Sequence, residues 1–245
     1  MMSDLLFSLD ILVAHRGHQS RYPENTILAL KKAIEYGASF IELDIQFSGD
    51  CLPIIYHDPD LKRVSAVEGN VLDFSRHNLL KLPAYEPQRL GNSFKLEKIA
   101  PLEALVSLLK DSPQVTAFVE LKEESIEHCG RDAMFKSVQT ILDSVKDQVV
   151  IISYDYQLVL TARENHWSNV GIVLKQWKDL ETDTVKDIGA NYIFVDHEMI
   201  PQEISDLKSI EATVVAFEVG DKTLGQKLLK QGVSMLETYK LEQLS

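Results

Sequence analysis

Glu42 and Asp44 alternate with aliphatic residues in one short run, Phe40-Ile41-Glu42-Leu43-Asp44-Ile45-Gln46-Phe47. Successive side chains of a strand face opposite ways, so Glu42, Asp44 and Gln46 share one face and the apolar residues share the other. At about 3.3 Å per residue the two acids stand about 6 to 7 Å apart along the chain. Like charges held that close call for a shared cation or proton. Taken alone, a Glu-x-Asp strand is equally an ordinary solvent-facing edge. What the rest of the chain can bring beside it decides.

Other chemistry-bearing residues also close apolar runs. His15-Arg16-Gly17 follows Leu9–Ala14, His57-Asp58 follows Pro53–Tyr56, and Glu120-Leu121-Lys122 ends Val115–Leu121. Later runs end in Ser153-Tyr154, Asp196-His197, Phe217-Glu218 and Glu237. If Glu120 joins Glu42 and Asp44, three carboxylates suit a hard oxygen-seeking cation, Mg²⁺ or Ca²⁺. His15 and His57 supply the pair that acid–base work near neutral pH requires. Arg16 and Lys122 offer fixed positive charge to an anionic group. Pro23-Glu24-Asn25-Thr26 reads as a helix start with a polar cap. His18, His77, His128 and His166 have no supporting context and read as surface residues.

These residues need a scaffold that gathers strand ends. Strand-like and helix-like runs alternate along nearly all of the 245 residues. Strands are expected at Leu9–Ala14, Phe40–Phe47 (continued by Pro53–Tyr56 after a Ser-Gly-Asp turn), Val115–Leu121, Val149–Ser153, Val170–Leu174, Tyr192–Val195, Thr213–Phe217 and Val233–Leu236. Helical spacing marks Glu24–Tyr36, Pro101–Lys110, Arg131–Val145, Gln157–Glu164, Leu180–Ile188, Gln202–Ile210 and Leu224–Gln231. Such alternation implies a parallel sheet, and eight units in this length fit a single-domain α/β fold of the TIM (β/α)8 barrel type. In such barrels, polar residues at the C-terminal strand ends read as catalytic. The tail Glu237–Ser245 is too short for a full eighth helix. Residues 58–100 are too long and irregular for a simple connection and read as an inserted subdomain or lid after the second strand.

With 25 basic against 37 acidic residues and a formal charge of −12, generic nucleic-acid binding is excluded, because phosphate backbones need a basic footprint. Cys51 and Cys129 alone make no disulfide framework in a chain this long, and nothing demands an oxidising compartment. Met1–Ala14 lacks a basic leader and reads as a first strand rather than a signal peptide. No apolar run approaches the roughly 20 residues of a membrane span. The expected setting is cytoplasmic. Composition fixes no oligomeric state.

The combination His15-Arg16-Gly17, Pro23-Glu24-Asn25-Thr26, Glu42-Leu43-Asp44 and Tyr56-His57-Asp58 resembles the glycerophosphodiester phosphodiesterases. The resemblance continues through Leu61, Arg63, Pro101-Leu102-Glu103, Val119-Glu120-Leu121-Lys122 and Gly232-Val233, so it covers essentially the whole chain. It implies a metal-dependent TIM-barrel hydrolase of lipid and glycerol metabolism. Its substrates would be small glycerophosphodiesters, released as sn-glycerol 3-phosphate and an alcohol. The family's catalytic histidines fall on His15 and His57, its metal carboxylates on Glu42, Asp44 and Glu120, and its phosphate-contacting cations on Arg16 and Lys122. Which histidine is base and which is acid stays open.

Several positions depart from the family pattern. The Asp-Gly turn reads Asp50-Cys51, and Ala66-Val67-Glu68-Gly69 replaces a Gly-Thr-Gly signature. The seventh-strand Trp is replaced near Ala216-Phe217, so Phe217 is expected to form the apolar wall for glycerol. Glu237-Thr238 stands at the customary Thr-Asp. Two competing readings are a lysophospholipase D-like enzyme, with Leu72, Phe74, Leu79, Leu80 and Leu82 as an apolar mouth, and a non-catalytic phosphodiester-binding barrel.

Overall fold

The computed structural model describes residues 6–201, 207 and 210–245. Among these residues ten strands follow one another: β1 (Leu12–Ala14), β2 (Phe40–Phe47), β3 (Pro53–Ile55), β4 (Ala100–Pro101), β5 (Thr116–Leu121), β6 (Val149–Ser153), β7 (Val170–Val173), β8 (Tyr192–Asp196), β9 (Thr213–Phe217) and β10 (Met235–Thr238). β1, β2 and β5 to β10 pair in parallel, and β1 closes the ring by pairing with both β2 and β10. The expected α/β barrel is therefore the observed one.

Side-chain alternation divides the apolar residues into two layers. Val13, Phe118, Val150, Ile152, Val173, Phe194, Val215 and Met235 fill the barrel interior. Their strand neighbours Leu12, Ile41, Leu43, Val119 and Ile151 join the larger layer beneath the helices. Strands buried on both faces read as continuous apolar runs, which is why Val149–Ser153 shows no alternation. The helix Ile27–Tyr36 starts where the Thr26 side chain accepts the Ala29 N–H, and it stops at Gly37, whose φ of 109° suits glycine. The helix expected over 202–210 lies outside the described residues, apart from Leu207 and Ile210.

Two local features depart from expectation. Pro53–Ile55 does not prolong the second strand; the chain reverses after Phe47, and β3 lies antiparallel on β2 with Ile45 opposite Ile55. The eighth barrel strand begins two residues later than expected and contains Glu237. Residues 58–100 carry short helices, Lys62–Ser65, Arg76–Leu79 and Pro87–Leu90. There Leu61, Val64, Val71, Leu79, Ala84 and Ile99 pack with Ile54 and Tyr56 as a small core. Leu72, Phe74, Leu80 and Leu82 pack against that core, which removes the observation that would favour a lysolipid-binding mouth.

Cys51 and Cys129, 78 residues apart, form a disulfide with their Cα atoms 5.6 Å apart. It ties the β2–β3 turn to the helix Ile126–Cys129 that follows β5. Two cysteines that suggested no framework are thus a single staple between the continuations of two site-bearing strands. Removing a loop closure of this length costs about 2–4 kcal/mol. The Cys51→Ser, Cys129→Ser double variant should unfold earlier by that amount in denaturant titration, and reductant should shift the parent protein alone. Among the described residues, no helix is long and apolar enough to cross a membrane.

Candidate active site

β1 delivers His15 and Arg16 to the mouth through a turn that only glycine fits. Gly17 has a φ of 82°, and a Cβ there would stand 2.6 Å from the Ala29 carbonyl carbon and 2.7 Å from the Leu30 nitrogen. That close approach seats the turn against the helix Ile27–Tyr36 and brings Asn25 within reach of β2. The Asn25 side chain donates to Asp44 Oδ2 at 2.7 Å and accepts the Asp44 N–H at 3.0 Å. Phe40 joins the interior cluster while Ile41 and Leu43 join the outer one, so Glu42 and Asp44 face into the barrel.

Asp44 is the centre of an ion-paired knot. Arg16 Nε lies 3.1 Å from its Oδ2, and Lys122 Nζ lies 2.8 Å from its Oδ1. Lys122 also donates to Glu120 Oε1 at 2.7 Å. Burial alone would raise the Asp44 carboxyl, but Lys122 and Arg16 outweigh it and hold Asp44 well below the usual carboxylate range. Glu42 behaves oppositely. Burial, then Asp44 and Glu237, push it well above its ordinary value. Its Oε2 accepts the Arg16 backbone N–H at 3.0 Å, and its Oε1 is buried with no partner.

Glu42, Asp44 and Glu120 are all buried and each offers an oxygen within 4.8 Å of the others. Three hard donors with one unsatisfied buried oxygen fit a divalent cation held by carboxylates. A carboxylate cluster that could hold a divalent cation is therefore present, and its donor chemistry admits either Mg²⁺ or Ca²⁺.

His57 enters from the segment after β3 and is held by a second network. Its Nδ1 lies 2.6 Å from Asp58 Oδ1. An ionised carboxylate only accepts, so Nδ1 carries a proton toward Asp58 and Nε2 is the ring nitrogen left for the cavity. Arg63 grips Asp58 with two hydrogen bonds of 2.7 and 2.8 Å, and grips Glu24 with two more of 2.8 and 2.7 Å. Glu24 in turn accepts from Arg16 Nη1 at 3.0 Å. Alternating charges thus run without a break from His57 to Asp44. Glu86, from the inserted segment, accepts the Glu24 N–H at 2.7 Å. Burial would raise Asp58, but His57 and Arg63 hold it below its ordinary value. Burial, followed by Arg16, pushes His15 down to about 3, so its ring is neutral at pH 7.

These groups meet on one cavity of about 290 Å³. His15, Arg16, Glu42, His57, Glu120 and Lys122 form one wall, with Asp44 buried among them. Ile152, Tyr154, Val173, Phe194 and Phe217 form its apolar wall. All eight residues picked out in the sequence are therefore gathered at one place. Arg16 reaches the cavity with its guanidinium already paired to Glu24 and Asp44.

Other residues differ from expectation. The polar cap expected within Pro23-Glu24-Asn25-Thr26 is Thr26, but Glu24 does more than start a helix: it is 2% exposed and locked between Arg16 and Arg63. His18 is buried rather than superficial, with Nε2 3.1 Å from Glu242 Oε1. Two charged cavity residues, noted in the sequence only as closing apolar runs, lay outside the expected site set. Glu218 Oε1 is 3.9 Å from His15 Nε2, and Glu237 is a fourth buried carboxylate. The signal for Glu237 was strand parity: two residues beyond inward-facing Met235, it must also face inward.

Residues 15–237 match the family model described as "Glycerophosphoryl diester phosphodiesterase family". The chain is 31% identical over 147 residues to a glycerophosphodiester phosphodiesterase of Caldanaerobacter subterraneus subsp. tengcongensis, covering 60% of this chain and 58% of that protein. It is 36% identical over 125 residues to human glycerophosphodiester phosphodiesterase 1, covering 51% and 37% respectively. The chain thus spans about half the length of the curated relatives it matches. An Oleispira antarctica phosphodiesterase, solved in complex with the product sn-glycerol-3-phosphate, superposes with a TM-score of 0.83 at 22% identity, over 95% of this chain and 94% of that one. At that identity the likeness concerns the fold.

Proposed function

This chain belongs to the glycerophosphoryl diester phosphodiesterase family, and we propose that it hydrolyses glycerophosphodiesters such as glycerophosphocholine and glycerophosphoethanolamine to sn-glycerol 3-phosphate and an alcohol. The observation that carries this reading is the meeting of two imidazoles and a three-carboxylate cluster on one cavity. Binding a phosphodiester needs no acid–base pair, so a purely binding barrel leaves His15 and His57 without a task.

Glu42, Asp44 and Glu120 would hold Mg²⁺ or Ca²⁺, which would neutralise phosphate charge and acidify a glycerol hydroxyl. One of the two imidazoles, His15 or His57, takes the proton of the attacking 2-hydroxyl of the substrate's own glycerol. That oxygen bonds to phosphorus as the bond to the leaving alcohol breaks. The other imidazole, in its protonated form, gives its proton to the departing oxygen. The resulting cyclic phosphate is opened by water with the two histidines exchanging roles. Lys122 and Arg16 add fixed positive charge beside the phosphate, and Phe217 supplies an apolar wall for the glycerol carbons.

The test is release of glycerol 3-phosphate from a panel of head groups, after chelation and with each ion restored. Chelation should abolish release, and Mg²⁺ or Ca²⁺ should restore it. No release from any glycerophosphodiester with any ion would sink the proposal.

A further inference from the structure

Glu237 is a buried carboxylate that the reaction above leaves without a task. It sits on β10, beside β1, and offers a ligand atom within 4.8 Å of one from His15 and one from Glu42. All three side chains are more than nine-tenths buried: His15 is 7%, Glu42 2% and Glu237 4% exposed. Two of their atoms, His15 Nδ1 and Glu42 Oε1, are buried with no hydrogen-bond partner. An unmet donor or acceptor in the interior costs about 1–3 kcal/mol, so two at one spot call for a common partner.

The protein's own cations do not provide it. The Arg16 guanidinium is engaged by Glu24 and Asp44, and the Lys122 ammonium by Asp44 and Glu120. Among the described residues, no Lys or Arg side chain pairs with Glu42 or Glu237. We infer that His15, Glu42 and Glu237 form a second divalent-cation site, sharing Glu42 with the Glu42–Asp44–Glu120 cluster, so that the barrel mouth holds a pair of ions.

The two sites differ in chemistry. The first is all carboxylate oxygen and suits Mg²⁺ or Ca²⁺, whereas the second adds an imidazole nitrogen and favours first-row ions such as Mn²⁺ or Zn²⁺. His15 can serve both the ion and the substrate. Its unpartnered Nδ1 faces the interior, while Nε2 stands 3.9 Å from the half-exposed Glu218 carboxylate. With the ion on Nδ1, Nε2 remains the ring nitrogen open to the substrate. The inference shares residues with that reaction, yet an ion count does not depend on turnover.

The experiment is equilibrium dialysis of the metal-free protein against Mn²⁺ alone, on wild type and Glu237→Gln, an isosteric change. Wild type should bind two ions per chain and Glu237→Gln one. In wild type, ions joined through Glu42 should give a spin-coupled manganese paramagnetic resonance spectrum, replaced by an isolated-ion spectrum in Glu237→Gln. A wild-type count of one would mean that protons satisfy Glu42 and Glu237, and would overturn the inference while leaving the reaction intact. Two ions in Glu237→Gln, or an uncoupled wild-type pair, would overturn it as well. A count of zero would remove both this site and the metal dependence proposed above. Should Glu237→Gln fail to fold, the wild-type count and spectrum decide.

Discussion

Asp44→Asn will lose divalent-cation binding, at least about 10³-fold in turnover and much of its stability together. A divalent ion contributes several kcal/mol to stabilising a phosphoryl transition state, and each 1.36 kcal/mol is a factor of ten in rate. The stability loss has a separate origin. Asp44 balances both Arg16 and Lys122 inside the barrel, and the neutral amide would leave two buried cations with one anion fewer. Breaking a buried pair from one side costs about 3–5 kcal/mol. Because Asp44 is held below its ordinary value in the folded state, this stabilisation is complete above the unfolded-state value and fades as pH falls toward the lower folded one. Calorimetric divalent-cation titration, thermal unfolding and initial rates measure the three effects. A variant that binds the cation and turns over like the parent would show that the carboxylate cluster is not the metal site.

His57→Ala will behave differently, losing rate while keeping the fold. Positioned proton transfer is worth about 10²–10⁴-fold, and that is the expected fall in kcat. His57 is only partly buried and its side chain touches the network through Asp58 alone, so divalent-cation affinity and melting temperature should hardly move. His15→Ala should lose a similar factor. Because the two imidazoles act on the same proton relay, the double variant should fall little further than either alone. Asp58→Asn should lie between, since it keeps the imidazole but loosens the bond that fixes its tautomer. Near-normal kcat in both single histidine variants would rule out the acid–base reading.

The barrel was legible because its strands are short, apolar and separated by helical spacing, and because chemistry-bearing residues close each one. Glu42, Asp44 and Glu120 could be picked out by parity on strands whose apolar partners were visible. What stayed hidden depends on contacts between distant segments. Arg63 is an unremarked basic residue of an irregular stretch until folding places it between Asp58 and Glu24. Glu24 sits where a helix cap belongs, and only the arrival of two guanidiniums makes it an anchor. The antiparallel turn of β3 was missed because a Ser-Gly-Asp turn gives no direction by itself. Glu237 was seen as closing the last strand but not as a cavity residue, because Val233 set the start of that strand two residues too early. Neither cysteine announces a partner in the sequence, since 78 residues separate them.

The two walls of the cavity come from different lengths of chain. Everything that carries charge toward the reacting centre, apart from Glu218 and Glu237, lies between His15 and Lys122, whereas the apolar wall lies between Ile152 and Phe217. Reactivity and fit are therefore inherited separately. Recombination that exchanged the second stretch for that of a relative would bring in a differently shaped wall without disturbing the paired charges of the first. A fold arranged this way can change what it accepts while leaving unaltered what it does.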